Sequence, residues 1–389
     1  MNVLMITPRF TEHAGGDGLY AFHLVRGLRG AGHHVHVLTI RNGRFVLLTM
    51  EGGNETTAEF GTAGGDALSE HYHSAAAADA LRRTFERHQP DVVHIHGIHQ
   101  YFTAACVPVL RRARVPVVFT VHDYKLVCGN AGFFSDRTGE QCTACLTGTL
   151  WNPVTERCKR GSFVQSTAAA VQMQLWSLRG FLELVTAVHA PSRFVGTLLE
   201  RHPILRGKIF TERHPLLFAP GPVPEPTGQP TVLFFGRLVP HKGGHLAVEA
   251  MRGSGSDPSI RFLGWKTQSE IRSMMGPDTI ALLPYLAPET FCFAVLEAMM
   301  EGCAVVTSAR GAIPELVQHG VNGIVVDPPD AAGFRRAVEL LLSDTALRQR
   351  LSDAARRAGE GLLSVHDHAV RMAGHYHSII TSPRTSEVQ

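Results

Sequence analysis

Residues 288–308 read PETFCFAVLEAMMEGCAVVTS and contain two glutamates, Glu289 and Glu297, with seven residues between them. Apolar residues recur at helical spacing after Thr290, the expected N-cap, and the pattern predicts a helix that Gly302 closes, followed by a buried strand. In a helix the two carboxylates would lie roughly 12 Å apart, and the helix N-terminus offers unpaired N–H groups to a phosphate. Taken singly, each glutamate is more typical of a solvated helix face, so the rest of the chain must decide.

Length and composition favour a globular protein of two domains. The chain has 389 residues, of which 44% are hydrophobic, and a formal net charge of +3. The charge is not concentrated into a stripe, which disfavours nucleic acid and leaves anionic small molecules as expected partners. The sequence has no run of about eighteen apolar residues, so no membrane span is predicted. The N-terminus does not resemble a signal peptide. Seven cysteines without an export signal argue against a disulfide framework, so we expect a cytoplasmic location.

The two halves of the chain begin alike. A buried strand at 3–7 is followed by a glycine loop with Gly15 and Gly16 and by a predicted helix. Beyond the proline-rich stretch 214–230, which reads as a linker, an apolar strand at 232–236 leads to another glycine pair and another helix. Each glycine loop is consistent with either close ligand approach or a tight turn. The repetition predicts an α/β fold of two similar Rossmann-like domains that face each other across a cleft.

We place the domain boundaries at the linker and before the last helical pattern. Residues 1–213 form the expected N-terminal domain, which includes a cysteine insertion at 128–158, and residues 214–364 form the expected C-terminal domain. Residues 365–389 are predicted to contribute a helix that packs back on the N-terminal domain.

Polar residues end two of the predicted strands in the first domain. One strand ends at His96, and another ends at His122 and Asp123. In an open α/β sheet ligands bind at the carboxyl ends of the strands, which makes these three residues candidates for ligand contact. A structural hydrogen bond is the alternative interpretation for any one of the histidines.

Four cysteines lie within a short segment of the first half: Cys128, Cys142, Cys145 and Cys158, separated by thirteen, two and twelve residues. A central Cys-x-x-Cys pair between single cysteines is typical of a tetrahedral zinc site. Four thiolates also suit an iron–sulfur cluster, and a redox pair at Cys142 and Cys145 or four unpaired thiols are further interpretations. A metal held by all four would be structural, because no coordination position would stay open for catalysis.

Two cations directly follow the strand that opens the second half. Arg237 and Lys242 stand beside the glycine pair Gly243 and Gly244. Arginine can grip oxygens bidentately and lysine supplies a point charge, so the pair predicts a clamp for a diphosphate. Such cations are also common on surface loops, but their combination with the spaced glutamates favours a phosphate site.

Together these motifs resemble the retaining nucleotide-sugar glycosyltransferases of family 4, which have the GT-B architecture. The resemblance covers nearly the whole chain. It rests on the first glycine loop, the His-Asp strand end at 122–123, GRLVPHKGG at 236–244, the paired glutamates, and GAIPELVQHGVNGIVV at 311–326. It implies transfer of a sugar from a UDP-hexose or other NDP-hexose to a hydroxyl of a small-molecule, glycan or natural-product acceptor. It also implies that catalysis needs no cofactor or divalent metal.

The resemblance implies a role for each matching residue. The expected catalytic residues are His122, Arg237, Lys242 and Glu289: the two cations neutralise the diphosphate, Glu289 contacts the transferred sugar, and His122 reaches the sugar near the reacting carbon. Glu297 is expected to bind the ribose hydroxyls. The other donor-side residues are Gly16, Gly236, Thr290, Phe291 and Cys292. The acceptor-side candidates are Gly15, Asp17, His96 and Asp123.

The sequence departs from the family pattern in places. Only RGSGSDPS joins Met251 to Ile260, where the family has a further strand and helix, so we expect a shortened C-terminal domain. Thr290 and Cys292 stand where the family has glycines. The four-cysteine insertion, found in a subset of similar enzymes, follows His122 closely, and we expect it to shape acceptor recognition.

Three alternatives compete with this hypothesis. A non-catalytic homologue that binds a nucleotide or glycan is the main one. A nicotinamide-dependent oxidoreductase is disfavoured, because neither glycine loop spells GxGxxG with an acidic residue about twenty positions later. A zinc-containing nucleic-acid binder is disfavoured by the dispersed charge. The sequence leaves the sugar, the acceptor and the oligomeric state open.

Overall fold

The computed structural model describes residues 1–12, 15–51, 53–63, 73–97, 101–147, 149–218, 228–252 and 263–382. Its contacts divide the chain into two compact units. Unit 1 comprises Met1–Val127, Ala168–Leu217 and Leu363–Gln389, and unit 2 comprises Cys128–Thr167 and Phe218–Leu362.

The strands are short and mostly buried. In chain order they are β1 (Asn2–Ile6), β2 (His34–Arg41), β3 (Arg44–Glu51), β4 (Asn54–Thr62), β5 (Val92–Ile95), β6 (Val117–Thr120), β7 (Phe134–Ser135), β8 (Glu140–Gln141), β9 (Ala187–Ala190), β10 (Ile209–Thr211), β11 (Thr231–Leu233), β12 (Thr279–Leu283), β13 (Ala304–Ser308) and β14 (Ile324–Val326).

The helices alternate with these strands. They are α1 (Gly16–Gly30), α2 (Ala75–His88), α3 (Val107–Ala113), α4 (Ala144–Thr147), α5 (Asn152–Glu156), α6 (Phe163–Leu178), α7 (Phe181–Leu184), α8 (Arg193–Leu199), α9 (Gly244–Arg252), α10 (Gln268–Arg272), α11 (Phe293–Met300), α12 (Ala331–Ser343), α13 (Thr345–Glu360) and α14 (Val365–Thr381). No helix in the described ranges combines the length and apolar content that a bilayer crossing requires.

Unit 1 is built on an eight-stranded sheet with the order β10-β9-β6-β5-β1-β2-β3-β4. The six strands from β10 to β2 pair in parallel, as the alternation of strands and helices predicts. Their apolar residues, such as those of β1 and β5, are almost fully buried. The carboxyl ends of β5 and β6 therefore lie side by side, which brings the polar residues that follow them to one edge of the sheet.

An antiparallel hairpin of β3 and β4 extends this sheet, in a region where the sequence predicts no element. β4 reads NETTAEFGT and is mostly exposed, so neither apolar alternation nor a continuous apolar run marks it. It becomes a strand by pairing with the buried β3. Cross-strand contacts support the pairing, with the hydroxyls of Thr49 and Thr56 2.6 Å apart and Arg44 paired with Glu59 at 3.1 Å.

Unit 2 contains a four-stranded parallel sheet with the order β11-β12-β13-β14. Its core is formed by apolar residues of the sheet and of α9, α12 and α13, with Phe334 and Leu341 fully buried. The RGSGSDPS segment lies outside the described residues except for Arg252, as does most of the 214–230 linker. The shortening of this domain therefore stays a prediction.

The cysteine-rich region groups differently from the boundaries drawn on the sequence. Those boundaries place 128–158 in the N-terminal domain, whereas the contacts assign residues 128–167 to unit 2. Side-chain packing gives the physical reason, because Phe134 of this region lies against His241 of unit 2, with ring centroids 6.4 Å apart. The segment follows His122 closely in the sequence, but it packs with unit 2 and not with the unit that contains His122.

The last helix, α14, lies in unit 1 and packs on α1. Gly27 of α1 allows the close approach, since a Cβ there would lie 2.7 Å from the Cβ of Ala369. Two tyrosines add polar contacts at this helix. The Tyr20 hydroxyl lies 2.8 Å from Nε2 of His368, and the Tyr376 hydroxyl lies 2.5 Å from Nδ1 of His94.

A cluster of buried imidazoles lies beneath α14. Nε2 of His94 and Nδ1 of His189 both contact the Thr120 hydroxyl, at 2.6 and 2.9 Å, and Nε2 of His189 donates to the carbonyl oxygen of Glu212. Burial lowers the pKa of His94 and His189 well below the usual value, and neighbouring histidines lower it further. It lowers the pKa of His368 to about 3. The cluster is therefore neutral at pH 7 and acts through hydrogen bonds.

Acid should destabilise unit 1. Below about pH 6.5 the unfolded chain binds protons at these histidines and the folded cluster does not, so the free energy of unfolding falls as the pH drops toward the lowered folded pKa values. Each histidine that stays neutral contributes a loss of about 1.4 kcal/mol per pH unit. Denaturant unfolding between about pH 7.5 and 5.5 measures this slope.

Two substitutions serve as test and control for this slope. His368→Gln removes one buried imidazole and should reduce the pH dependence by that amount. His245→Gln removes an exposed histidine outside the cluster and serves as the control. A free energy of unfolding that stays constant over this range would contradict the neutral cluster.

Candidate functional site

The loop between β11 and α9 carries both predicted cations. It contains a 3₁₀ turn, Pro240–Lys242, and then Gly243 at φ +73°. A Cβ at Gly243 would lie 1.8 Å from the carbonyl oxygen of Pro284, so only glycine permits this approach of the two backbones. The glycine pair thus serves close packing of the loop, which brings Lys242 to the strand end of β12.

The ammonium of Lys242 is held by two neighbours. Its Nζ lies 2.8 Å from Oε1 of Glu289 and 4.7 Å from the ring centroid of Tyr285. The Lys242 and Glu289 side chains are only 18% and 16% exposed, so solvent screens the ion pair less than it would at an open surface. The structure thus brings together two predicted site residues that are 47 positions apart.

Arg237 stands on the same loop and is exposed. Burial lowers the pKa of His241, and the positive charges of Lys242 and Arg237 lower it further, which places both cations around this imidazole. Gly236, at φ +138°, has open space where a Cβ would point. The loop therefore presents two cations next to an unobstructed backbone.

Glu289 does not lie on a helix, so the prediction of one helix that carries both glutamates is wrong. α11 begins only at Phe293, and its N-cap is Cys292, which adopts a left-handed conformation at φ +73°. That conformation ends any helical path from Thr290, so Thr290 is not the N-cap and the spacing of roughly 12 Å does not apply. Glu289 instead bridges Gly311, and its carbonyl oxygen accepts the N–H of Ala312 at 2.9 Å.

Cys292 occupies a backbone position that favours glycine. Its positive φ is the conformation that a glycine at this position in the family would adopt without strain. Its side chain is 6% exposed and hydrogen-bonds with Tyr285. Burial, with the nearby Glu289 carboxylate, raises the pKa of the thiol to about 12, so the thiol is protonated. The neighbouring Phe291 is buried against Phe293, with ring centroids 5.0 Å apart.

Glu297 lies on α11 and accepts a hydrogen bond from a residue that was not among the predicted site residues. The side-chain amide of Gln268 on α10 donates to the Glu297 carboxylate. Burial raises the pKa of Glu297 to about 7, against the opposing effects of Gln268 and Arg272. The Thr-x-x-Glu capping box at 267–270 marks the start of α10, but nothing in the sequence pairs that helix with Glu297.

In unit 1 the structure brings three of the predicted residues together. Nδ1 of His96 lies 3.0 Å from Nε2 of the partly buried His122. The carboxylate of Asp17, in the first turn of α1, raises the pKa of His122, although burial has the larger effect and leaves this pKa at about 4. Gly15 is the N-cap of α1 and Gly16 its first residue. The predicted glycine loop and strand end therefore meet.

Asp123 follows His122 directly, just beyond the end of β6. It is exposed, and its carboxylate accepts the N–H of Lys125 at 2.9 Å, as in an Asx-turn. This contact supports the turn that follows β6.

The four cysteines of the segment are free thiols. Burial raises the pKa of Cys145 to about 12 and that of Cys158 to about 11, and it also raises the pKa of Cys128. Within the described ranges, no three His, Cys, Asp or Glu side chains form a group that fits a metal ion. The zinc and iron–sulfur hypotheses stay predictions.

The fold and the family are shown by comparison with known proteins. Two Rossmann-like α/β units with parallel sheets form the GT-B fold of the similar solved glycosyltransferases. The family model described as Glycosyltransferase Family 4 matches residues 14–211, which is half of the chain. The chain belongs to Glycosyltransferase Family 4. The model described as Glycosyl transferases group 1 matches residues 254–358.

Curated relatives carry glycosyltransferase names. Glycogen synthase of Mycobacterium tuberculosis is 25% identical over 408 aligned positions, which cover 92% of this chain and 90% of that protein. The lipopolysaccharide core biosynthesis glycosyltransferase LpsE of Rhizobium meliloti is 27% identical over 36% of this chain. A D-inositol 3-phosphate glycosyltransferase of Salinispora arenicola is 33% identical over 33% of it. The chain spans only 47% and 30% of the length of the latter two.

Solved structures match over nearly the full chain. Sucrose-phosphate synthase of Thermosynechococcus elongatus superposes with a TM-score of 0.65 at 18% identity, covering 98% of this chain and 99% of that one. HepE of Anabaena, solved in complex with UDP, gives 0.61 at 15% identity, covering 97% and 100%. At these identities the likeness shows the fold alone.

The Glu297 carboxyl is predicted to lower stability at high pH. Its folded pKa lies above the usual value, so ionisation costs more in the folded than in the unfolded chain, and stability is lost as the pH rises from about 4.5 to 7. Glu297→Gln should therefore raise the free energy of unfolding by about 3 kcal/mol at pH 8 and change little at pH 4. Chemical denaturation of the ligand-free protein at both pH values measures the difference.

Glu301 provides the matched control. Its carboxylate is paired with the Arg272 guanidinium, so Glu301→Gln should not stabilise the protein. Equal stability of wild type and Glu297→Gln at pH 8 would show that the Glu297 carboxyl ionises without penalty.

Proposed function

We propose that the protein is a retaining glycosyltransferase that moves a sugar from a nucleoside-diphosphate sugar to an acceptor hydroxyl. The observation that carries the proposal is the convergence of Arg237, Lys242 and Glu289 at the strand ends of unit 2. Membership of Glycosyltransferase Family 4 and the names of the relatives support it. HepE has been solved with UDP-glucose, which favours a UDP-sugar among the possible donors.

The two cations are proposed to act on the leaving group. As the bond between the sugar's anomeric carbon and the phosphate oxygen breaks, negative charge builds on the diphosphate. Arg237 and Lys242 stabilise that charge from fixed positions, an effect commonly worth a few kcal/mol for each donor. Glu289 holds the ammonium in place before the donor binds, and its carboxylate then accepts hydrogen bonds from hydroxyls of the transferred sugar.

Glu297 is proposed to bind the donor's ribose. A carboxylate accepts hydrogen bonds from two neighbouring hydroxyls, and the amide of Gln268 orients this one by donating to it. Because the Glu297 pKa is raised to about 7, the ionised form is incompletely populated at neutral pH. Two ribose hydroxyls that donate to the carboxylate would favour its ionised form.

Retention is proposed to follow from attack on the same face of the sugar. The acceptor oxygen forms its bond to the anomeric carbon as the phosphate oxygen departs, and the departing phosphate takes the acceptor's proton. This step needs no side chain as base, in keeping with the pKa of about 4 that burial gives His122, which makes its imidazole a weak base. Unit 1, with its group of Asp17, His96 and His122, is proposed to bind the acceptor and to present His122 to the sugar.

Loss of either cation should abolish transfer. Arg237→Ala and Lys242→Ala remove charge that stabilises the leaving diphosphate, so kcat/KM should fall by at least about 100-fold. Arg336→Ala removes an exposed arginine of α12 in the same unit and should leave activity unchanged. Turnover is measured with the donor that gives the largest shift in a thermal-unfolding screen of nucleotides and nucleotide sugars.

Three outcomes distinguish the hypotheses. Near-wild-type turnover of Lys242→Ala would refute the donor site. A donor that stabilises the wild type but is never transferred to any acceptor would favour the non-catalytic homologue. A product whose anomeric proton coupling shows the opposite configuration to the donor would refute retention.

A further inference from the structure

The segment of residues 128–167, here called the cysteine-rich segment, belongs to the same unit as the candidate diphosphate loop. Phe134 of this segment is 3% exposed and meets His241 in an edge-to-face arrangement, with ring centroids 6.4 Å apart at 62°. His241 directly precedes Lys242 in the sequence. A residue of the segment therefore touches the loop that carries both proposed phosphate ligands.

A second observation supports this placement. The Asp136 carboxylate opposes the lowering of the His241 pKa, as Glu289 does. Asp136 follows β7 directly in the sequence and lies close enough to this imidazole to act on its charge. The segment thus approaches His241 with one apolar ring and one negative charge.

Phe134 is fixed within the segment by hydrogen bonds that involve the cysteine backbone. The side-chain amide of Asn130 donates to the carbonyl oxygens of Phe134 and Cys158, at 2.7 and 3.0 Å. The N–H of Asp136 donates to the same Cys158 carbonyl at 2.9 Å. These contacts connect β7 to Asn130 and Cys158 within the segment and hold the backbone of Phe134 in place.

His241 is also held by a backbone contact with the end of the unit 2 sheet. Its carbonyl oxygen accepts the N–H of Leu286 at 2.9 Å, just beyond the end of β12. The backbone of His241 is thus bonded at the sheet end, its ring contacts Phe134, and the next residue in the chain is Lys242. A loop that is ordered before the ligand arrives loses less entropy on binding, which raises affinity.

We propose that the cysteine-rich segment serves donor binding and that Phe134 is a positioning residue, which fixes His241 and thereby Lys242. This inference rests on the proposed donor site. It differs from the expectation that the segment shapes acceptor recognition. The ring contact between Phe134 and His241 joins the segment to the donor loop.

Titration with inorganic pyrophosphate tests the proposal, because this probe carries the diphosphate without a base or sugar. Isothermal titration of the full chain compares wild type with Phe134→Leu, Phe134→Tyr and Lys242→Met. Phe134→Leu keeps apolar bulk but loses the ring, and its affinity should fall about fivefold, as for residues that act through a neighbour. Phe134→Tyr keeps the ring and should bind like wild type, whereas Lys242→Met should bind far more weakly.

The two proposals fail in different ways. If Lys242→Met loses affinity and Phe134→Leu does not, the positioning role is refuted and the donor site stands. If Lys242→Met binds pyrophosphate as wild type does, both proposals are refuted. Thermal unfolding of every variant defines a temperature at which all are folded, and binding is compared there.

A double-mutant cycle separates positioning from a general loss of order. If Phe134 acts through His241, Phe134→Leu should have no further effect in a His241→Ala background. Equal effects in both backgrounds would contradict the route through His241. In sugar transfer, Phe134→Leu should raise the KM for the donor and leave the KM for the acceptor unchanged, and the reverse result would overturn the proposal.

Discussion

The ion pair between Lys242 and Glu289 defines the candidate site, and two close backbone approaches make it possible. Gly243 allows the loop after β11 to lie against Pro284, and Gly311 allows the chain at Glu289 to lie against the next loop, where a Cβ would be 2.3 Å from the Glu289 carbonyl oxygen. Both glycines have positive φ angles. The charged side chains come from loops far apart in sequence, so their contact depends on this packing rather than on either local motif.

Burial shapes the electrostatics of the two units in opposite ways. In unit 1 it keeps a group of histidines neutral, so that these residues act as hydrogen-bond partners between strand ends and α14. In unit 2 it keeps a carboxyl, Glu297, near the midpoint of its titration. The first arrangement favours a stable scaffold near neutral pH, and the second lowers stability at a residue proposed to bind ligand, as is common at functional sites.

Much of the fold could be predicted from the sequence, because buried parallel strands are continuous apolar runs. The strands predicted at 3–7, at 232–236 and after Gly302 are present as β1, β11 and β13. The strand β4 could not be predicted, since its residues are polar and its pairing with β3 is a tertiary effect. The helix start at Phe293 was missed because cysteine rarely takes the left-handed conformation that Cys292 adopts.

The site residues that belong to a local sequence motif could be predicted. The contacts between segments that are distant in sequence could not. Arg237, Lys242 and Glu289 follow from local patterns, whereas the contact of Gln268 with Glu297 depends on how α10 packs. The same holds for the cysteine-rich segment, which follows His122 in sequence but packs with unit 2. Chain proximity is a weak guide to contacts in a fold whose segments cross between units.

The proposed donor site in unit 2 is tested most directly by hydrogen–deuterium exchange, measured with and without the nucleotide sugar that binds best. Slower amide exchange is expected in residues 236–244 and 289–297, and no such protection is expected in Lys242→Ala at the same ligand concentration. Protection confined to unit 1, or equal protection in the variant, would contradict it.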